Sequence, residues 1–153
     1  MGSGIVRHTI TEDRVECSDS GYWIVFKRNG KFHHLTEPAC KKYGVYVGHL
    51  LQETWYIDGK IDRTDRSKPY NVEYYTTDKK VKREDYFVRE HHDEETKMLT
   101  YFENGNVKEI MWCVSGVAHR FYGPAHIVYN EDGTEKLKKY YLYGIEKPNV
   151  PCP

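Results

Sequence analysis

The chain has 153 residues, of which 39% are hydrophobic, 30% charged and 14% aromatic. The aromatic content excludes general disorder, because disordered chains are poor in aromatic residues. The 23 basic and 23 acidic residues cancel, which argues against a dedicated nucleic-acid binder and against a polybasic membrane anchor. No apolar run approaches the roughly 20 residues that span a bilayer.

We predict that residues 1–21 form an N-terminal cap, and residues 1–4 resemble an expression-vector remnant. This segment lacks the apolar core of a signal peptide. The chain has four cysteines and no CxxC pair: Cys17, Cys40, Cys113 and Cys152. Without a secretory signal, we expect reduced thiols and a cytoplasmic location.

Five units follow over residues 22–147, each marked by an aromatic residue and, four positions later, a glycine. These segments lie at 26–30, 55–59, 86–90, 112–116 and 140–144, and Glu90 replaces glycine in the third, degenerate copy. The steps between the glycine positions are 29, 31, 26 and 28 residues. A spacing met five times predicts a repeat architecture.

Each unit has the pattern of a β-hairpin. Short segments alternate apolar and polar residues, as at Trp112 and Val114, which places alternate side chains on one face of a strand. Four dipeptides are typical of tight primed turns, in which both residues have positive φ: Asn29-Gly30, Asp58-Gly59, Asn104-Gly105 and Asp132-Gly133. No helical stripe is present, so we expect little helix.

Proline marks the connectors between units. The segments HLTEPA, from His34 to Ala39, and HRFYGPA, from His119 to Ala125, occupy the same place in their repeats. Proline ends ladder pairing, so each connector is predicted to cross to the next hairpin. The proline-rich tail, residues 148–153, is interpreted as a stop. The positions that we expect to define the repeat are Gly30, Gly59, Gly105, Gly116, Gly123, Pro124, Gly133 and Gly144.

The sequence resembles the MORN family (membrane occupation and recognition nexus repeats). It is most similar to a divergent variant found in bacteria and in large DNA viruses of amoebae. The segments that carry the likeness are Trp112–Gly133 and Trp55–Arg63. The resemblance implies an all-β fold, an elongated single-layer antiparallel sheet of consecutive hairpins. It also implies an interaction scaffold that self-associates, in the host-cell cytoplasm if the protein is viral.

Catalytic and metal chemistry finds little support in the sequence. The pairs His33-His34 and His91-His92 point to opposite faces of a strand, which disfavours chelation. Cys113 with His119 is the only nucleophile–base pair that we considered, and a structural thiol is the simpler interpretation. We therefore predict a protein that is not an enzyme and needs no metal or cofactor.

Two surfaces are candidates for binding. Recurring aromatic residues predict a stacked core or a groove that accepts a peptide, and the two are compatible in a thin sheet. They are Phe26, Trp55, Tyr86, Tyr101, Trp112, Tyr129 and Tyr140. Basic residues predict a stripe for anionic lipid or nucleic acid, or simply a solvated face. They are Lys79, Lys80, Lys82, Arg83, Lys136, Lys138 and Lys139.

The leading hypothesis is therefore a non-catalytic protein-interaction module that forms a homodimer through an end strand or its aromatic face. A peripheral adaptor for lipid or nucleic acid is the alternative. An unrecognised hydrolase that uses Cys113 and His119 is the third.

Overall fold

The computed structural model describes residues 9–17, 21–44, 48–88 and 95–148, with the backbone alone at 14–17. All regular structure in these ranges is β-strand, which confirms the predicted all-β fold of consecutive antiparallel hairpins. No helix in this part of the chain is long and apolar enough to cross a membrane. Contacts divide the chain into two units, Met1–Thr64 and Asp65–Pro153.

The described residues of unit 1 form seven strands. They are β1 (Thr11–Cys17), β2 (Gly21–Arg28), β3 (Lys31–Phe32), β4 (Cys40–Tyr43), β5 (Leu50–Thr54), β6 (Tyr56–Ile57) and β7 (Lys60–Ile61). The main antiparallel order is β1-β2-β4-β5, with β3 on β2, and β6 and β7 form a separate hairpin. Part of the predicted N-terminal cap is thus a strand, because β1 pairs with β2 along its whole length.

In unit 2, the part of the chain that the structure describes forms eight strands. They are β8 (Asn71–Tyr74), β9 (Val81–Val88), β10 (Glu95–Tyr101), β11 (Val107–Val114), β12 (Val117–Ala118), β13 (His126–Tyr129), β14 (Glu135–Leu142) and β15 (Ile145–Lys147). The antiparallel order is β8-β9-β10-β11-β13-β14-β15, with β12 on β11. Neighbouring strands are mostly consecutive in sequence, as hairpin repeats require.

The aromatic-to-glycine segments at 26–30 and 55–59 end in primed turns, as predicted. Asn29 and Gly30 have φ of 52° and 74°, and Asp58 and Gly59 have 50° and 83°. The turns at 115–116 and 143–144 have the same two positive φ values, although serine and tyrosine occupy their first positions. Glu90, the predicted counterpart in the third copy, lies outside the described residues.

The prediction of primed turns was wrong at 104–105 and 132–133, where only the glycine has positive φ. Gly105 N–H donates to the Phe102 carbonyl at 2.9 Å, and β10 has a register shift between Thr100 and Tyr101, just before the turn. These two features are typical of a type I turn with a bulge. The Asn104 side chain accepts the Asn106 N–H at 2.9 Å. This local side-chain bond favours the type I geometry over the primed one, because asparagine and aspartate satisfy the backbone two residues on.

A corner with the same hydrogen bonds follows two of the primed hairpins, one in each unit. In unit 1, His33 N–H donates to the Phe26 carbonyl at 2.9 Å, and Phe26 N–H donates to the Ala39 carbonyl at 2.8 Å. The His33 ring is 1% exposed, and its Nδ1 accepts the Asp58 N–H at 3.1 Å. The Asp58 carboxylate oxygen Oδ1 is bound by Arg28 at 2.6 Å and also lies 3.1 Å from His33 Nδ1.

Unit 2 repeats this corner bond for bond. His119 N–H donates to the Trp112 carbonyl at 3.0 Å, and Trp112 N–H donates to the Ala125 carbonyl at 2.8 Å. The His119 ring is 2% exposed, and its Nδ1 accepts the Tyr143 N–H at 3.0 Å. The structural counterpart of His119 is therefore His33, and the predicted correspondence with His34 was wrong by one residue.

Candidate functional site

A concave surface lies on one face of the β2-β4-β5 sheet in unit 1. Its floor is a row of directly paired residues, Val25 on β2, Cys40 on β4 and Thr54 on β5. These three side chains are only 4%, 6% and 7% exposed. Because all three are small, they leave a depression of about 340 Å³ beneath their larger neighbours.

Three aromatic residues stand around this floor. Trp23 lies two positions before Val25 on β2 and therefore on the same face. Phe32 pairs directly with Lys27 at the other end of β2, and its ring lies 5.3 Å from that of Tyr56. Phe32 is 36% exposed, so the cleft offers an aromatic edge to solvent.

The charges beside the cleft are unequal. Lys27 is neutralised by Asp13, with Nζ 3.2 Å from Oδ2. Lys42 lies opposite Trp23, with its Nζ 5.7 Å from the Trp23 ring, and it makes no ion pair with the described residues. Among the residues that the structure describes, no carboxylate compensates the positive charge of Lys42 at the Trp23 end of the cleft.

The floor itself is uncharged at neutral pH. Burial raises the pKa of the Cys40 thiol to about 11, against a smaller opposing effect of Lys27. Burial, and to a lesser extent Cys40, raises the pKa of Tyr56. The cleft is thus neutral and mainly apolar at its base, with a few polar groups and a cation at its rim. That combination suits the binding of an apolar side chain, because ligand pockets are mostly apolar with a few orienting polar groups.

The predicted aromatic groove is only partly open. In unit 2, Tyr86 and Trp112 both pair with Lys97, so they lie in one row across β9, β10 and β11. Lys139 pairs with His126, which pairs with Met111, so Tyr140 lies one register step further along, in the row of Trp112. The predicted recurrence on one face is therefore present in this unit.

Arginine or histidine side chains cover three rings of the predicted aromatic column. The Arg120 guanidinium lies 3.9 Å from the Trp112 ring centre, and that of Arg63 lies 4.0 Å from Trp55. His34 takes the same place against Phe26, with ring centres 5.2 Å apart. Trp55 is only 6% exposed. At these three positions, the aromatic ring is covered by a residue of the same repeat.

The second predicted tyrosine position has a different environment. Tyr101 donates its hydroxyl hydrogen to Glu84 Oε2 at 2.5 Å, and Tyr86 donates to the same oxygen at 3.0 Å. Burial and this carboxylate raise the pKa of Tyr101. Tyr129 pairs with Glu135 across β13 and β14 and is partly exposed. Tyr101 thus links β10 to β9, and neither Tyr101 nor Tyr129 lines the unit 1 cleft.

The predicted basic stripe does not form one surface. Lys82 and Arg83 are neighbours on β9, and Lys138 and Lys139 are neighbours on β14, so each pair points to opposite faces. Most of these cations are paired: Lys80 with Asp78 at 2.8 Å, Arg83 with Asp85 at 3.0 Å, Lys138 with Glu135 at 2.5 Å and Lys139 with Glu146 at 3.2 Å. Lys79 lies in a turn at φ 61°, and Lys136 is exposed on β14.

The structure describes some of the residues considered for metal binding and catalysis. Within the described ranges, no three or more His, Cys, Asp or Glu side chains are arranged to hold a metal ion. His91, His92 and Cys152 lie outside those ranges. Burial, with a smaller effect of Asp85, raises the pKa of the Cys113 thiol, and the Nδ1 atom of His119 is occupied by a backbone N–H.

The aromatic rim of the cleft was not predicted from the sequence. None of Trp23, Phe32 and Tyr56 was named as a candidate site residue. A signal for Trp23 was present, since Trp23, Val25 and Lys27 alternate along one strand. Phe32 and Tyr56 come from different hairpins, and nothing in the repeat spacing shows that their rings meet.

Comparison with known proteins adds no relative. No family model, curated protein or solved structure matches the chain.

Proposed function

We propose that this chain is a non-catalytic protein-interaction module, built from MORN-like hairpin repeats and located in the cytoplasm. The observation that carries the proposal is the unit 1 cleft, where Trp23, Phe32 and Tyr56 surround a buried, uncharged floor. Aromatic residues at a concave surface are typical of binding hot spots, because they combine large apolar area with a polar handle.

The state of the thiols supports a non-catalytic role. Cysteine acts as a nucleophile in its thiolate form. The pKa values of Cys40 and Cys113 are both raised by burial, so both are held as thiols at neutral pH. Both are free of disulfides, which agrees with a reducing compartment.

Selection from a phage-displayed peptide library tests the proposal. We expect the protein to enrich peptides with a shared apolar residue, and Phe32→Ser to weaken their binding by about tenfold or more. Tyr122→Ser is the matched control, because Tyr122 is 60% exposed on unit 2 and lies outside the cleft. Circular dichroism checks that each variant folds. Failure to enrich any peptide, or equal losses in the two variants, would contradict the proposal.

Self-association through β15 is a second proposal. Among the strands that the structure describes, β15 pairs only with β14. Ile145 on β15 is 62% exposed, and Tyr143 in the preceding turn is 54% exposed. An exposed edge strand is a template for another chain. We expect light scattering to give twice the monomer mass, and Ile145→Lys to give the monomer. A monomeric wild type at all concentrations would refute this second proposal and leave the cleft untouched.

A further inference from the structure

The unit 1 cleft, if it binds protein as proposed above, also carries information about the charge of its partner. Two rows of paired residues cross this face. The row of Val25 contains Asp13, which neutralises Lys27, and the row of Trp23 contains Lys42. In the row of Val25, Asp13 lies on β1 directly opposite and reaches Lys27 with its carboxylate, 3.2 Å from Nζ. In the row of Trp23, Lys42 lies on β4 and faces Gln52 on β5.

The two lysines on this face, Lys27 and Lys42, differ in how their charges are compensated. Lys27 is satisfied by Asp13 and also lies 5.9 Å from the Phe32 ring. Within the described ranges, Lys42 makes no ion pair, and its Nζ lies 5.7 Å from the centre of the Trp23 ring. A cation over an aromatic face keeps most of its capacity for a carboxylate, since the stacking is worth about 0.5–1 kcal/mol at an exposed site.

The next lysine in sequence shows that this arrangement is particular to one face. Lys41 points to the opposite side of β4, where Glu37 pairs with it at 3.2 Å. Lys41 and Lys42 therefore differ in both face and pairing, although they are adjacent on one strand. Of these two lysines on β4, the one on the cleft side has no ion pair with a described residue, whereas the one on the opposite side does.

We propose that the cleft binds an acidic peptide segment, in which an apolar side chain enters between Trp23, Phe32 and Tyr56 and an adjacent carboxylate pairs with Lys42. The neutral floor of Val25, Cys40 and Thr54 accepts the apolar group, and the positive end selects the charge beside it. Charge complementarity of this kind contributes specificity and association rate more than raw affinity.

Two short peptides test the proposal directly. Acetyl-Asp-Phe-Asp-amide is the acidic probe, and acetyl-Asn-Phe-Asn-amide is its neutral isostere. Binding is followed on the ¹⁵N-labelled protein through the indole N–H signal of Trp23, which is assigned with the Trp23→Phe variant. We expect the acidic peptide to bind about threefold to fivefold more tightly, the ratio expected for an exposed ion pair, and high salt to remove the difference.

Matched variants separate the ion pair from general electrostatics. Lys42→Gln should abolish the preference for the acidic peptide, whereas Lys41→Gln should leave it unchanged. Equal losses in both variants would overturn the proposal, because net charge alone would then explain it. Equal binding of the two peptides in the wild type would overturn the charge selection and leave the cleft as a binding site. If neither peptide shifts the Trp23 signal, both the selection and the proposed use of the cleft fail.

Discussion

The buried ring of His33 should contribute to stability mainly as a hydrogen-bond acceptor. Its Nδ1 accepts the Asp58 N–H at 3.1 Å, and its ring is 1% exposed. His33→Leu keeps most of the side-chain volume but leaves this N–H without its acceptor, which costs about 1–3 kcal/mol in a buried setting. His33→Asn retains an acceptor oxygen at the same branch position, so we expect it to be more stable than His33→Leu.

The assay is urea unfolding followed by tryptophan fluorescence in a Trp112→Phe background, where Trp23 and Trp55 both report on unit 1. His34→Leu is the control, because His34 is only partly buried and its Nδ1 accepts the exposed Glu37 N–H. We expect the control to change the free energy of unfolding by less than about 1 kcal/mol. If His33→Leu matches the wild type while His33→Asn is less stable, the ring acts as filler and the reasoning is wrong.

Three further changes test other parts of the structure. Gly21→Ala should lower the free energy of unfolding by about 3 kcal/mol or more, because its new Cβ would lie 1.7 Å from the Tyr43 carbonyl oxygen. Stability should fall by about 2–3 kcal/mol between pH 9 and pH 11, because unfolded Cys40 ionises from 9.0 while the folded thiol stays protonated to a pKa of about 11. Arg120→Met should lower stability by about 0.5–1 kcal/mol, since it removes a cation 3.9 Å from the Trp112 ring centre. Denaturant unfolding measures all three.

Each of these predictions has a control. Gly30→Ala meets no atom within 4 Å but is strained by its φ of +74°, so it should lose only about 1–2 kcal/mol. A loss as large as that of Gly21→Ala would contradict the steric argument. Cys40→Ala should flatten the pH dependence in the window from 9 to 11, and an unchanged slope would assign it to the tyrosines. Arg120→Lys should retain part of the stacking energy, so equal losses in the lysine and methionine variants would exclude a charge effect.

The repeat itself could be predicted because some of its turns are specified locally. Asn29-Gly30 and Asp58-Gly59 adopt the primed geometry that their dipeptide chemistry favours. The same argument failed at Asn104-Gly105, because the choice between a primed turn and a type I turn with a bulge depends on strand register as well as on the dipeptide. The wrong pairing of His34 with His119 had a similar origin, since only the Asp58 N–H identifies His33 as the buried ring.

The candidate site was far less predictable. Spacing placed Tyr86, Trp112 and Tyr140 at one repeat position, and register confirms that they share a row in unit 2. Spacing could not show that Arg120 covers Trp112, because cation stacking depends on where the connector folds back.

The sequence by itself determined the fold class of this protein, its hairpin rhythm and the alternation of faces along each strand. These follow from contacts between near neighbours in the chain, such as turn dipeptides and period-two patterns. Only the tertiary structure decided which aromatic residues are covered and which stand open. Trp23 lies near one end of β2, Phe32 lies on β3 beside the other end, and Tyr56 belongs to another hairpin. Their meeting above Cys40 depends on strand pairing between distant segments, which no local pattern encodes.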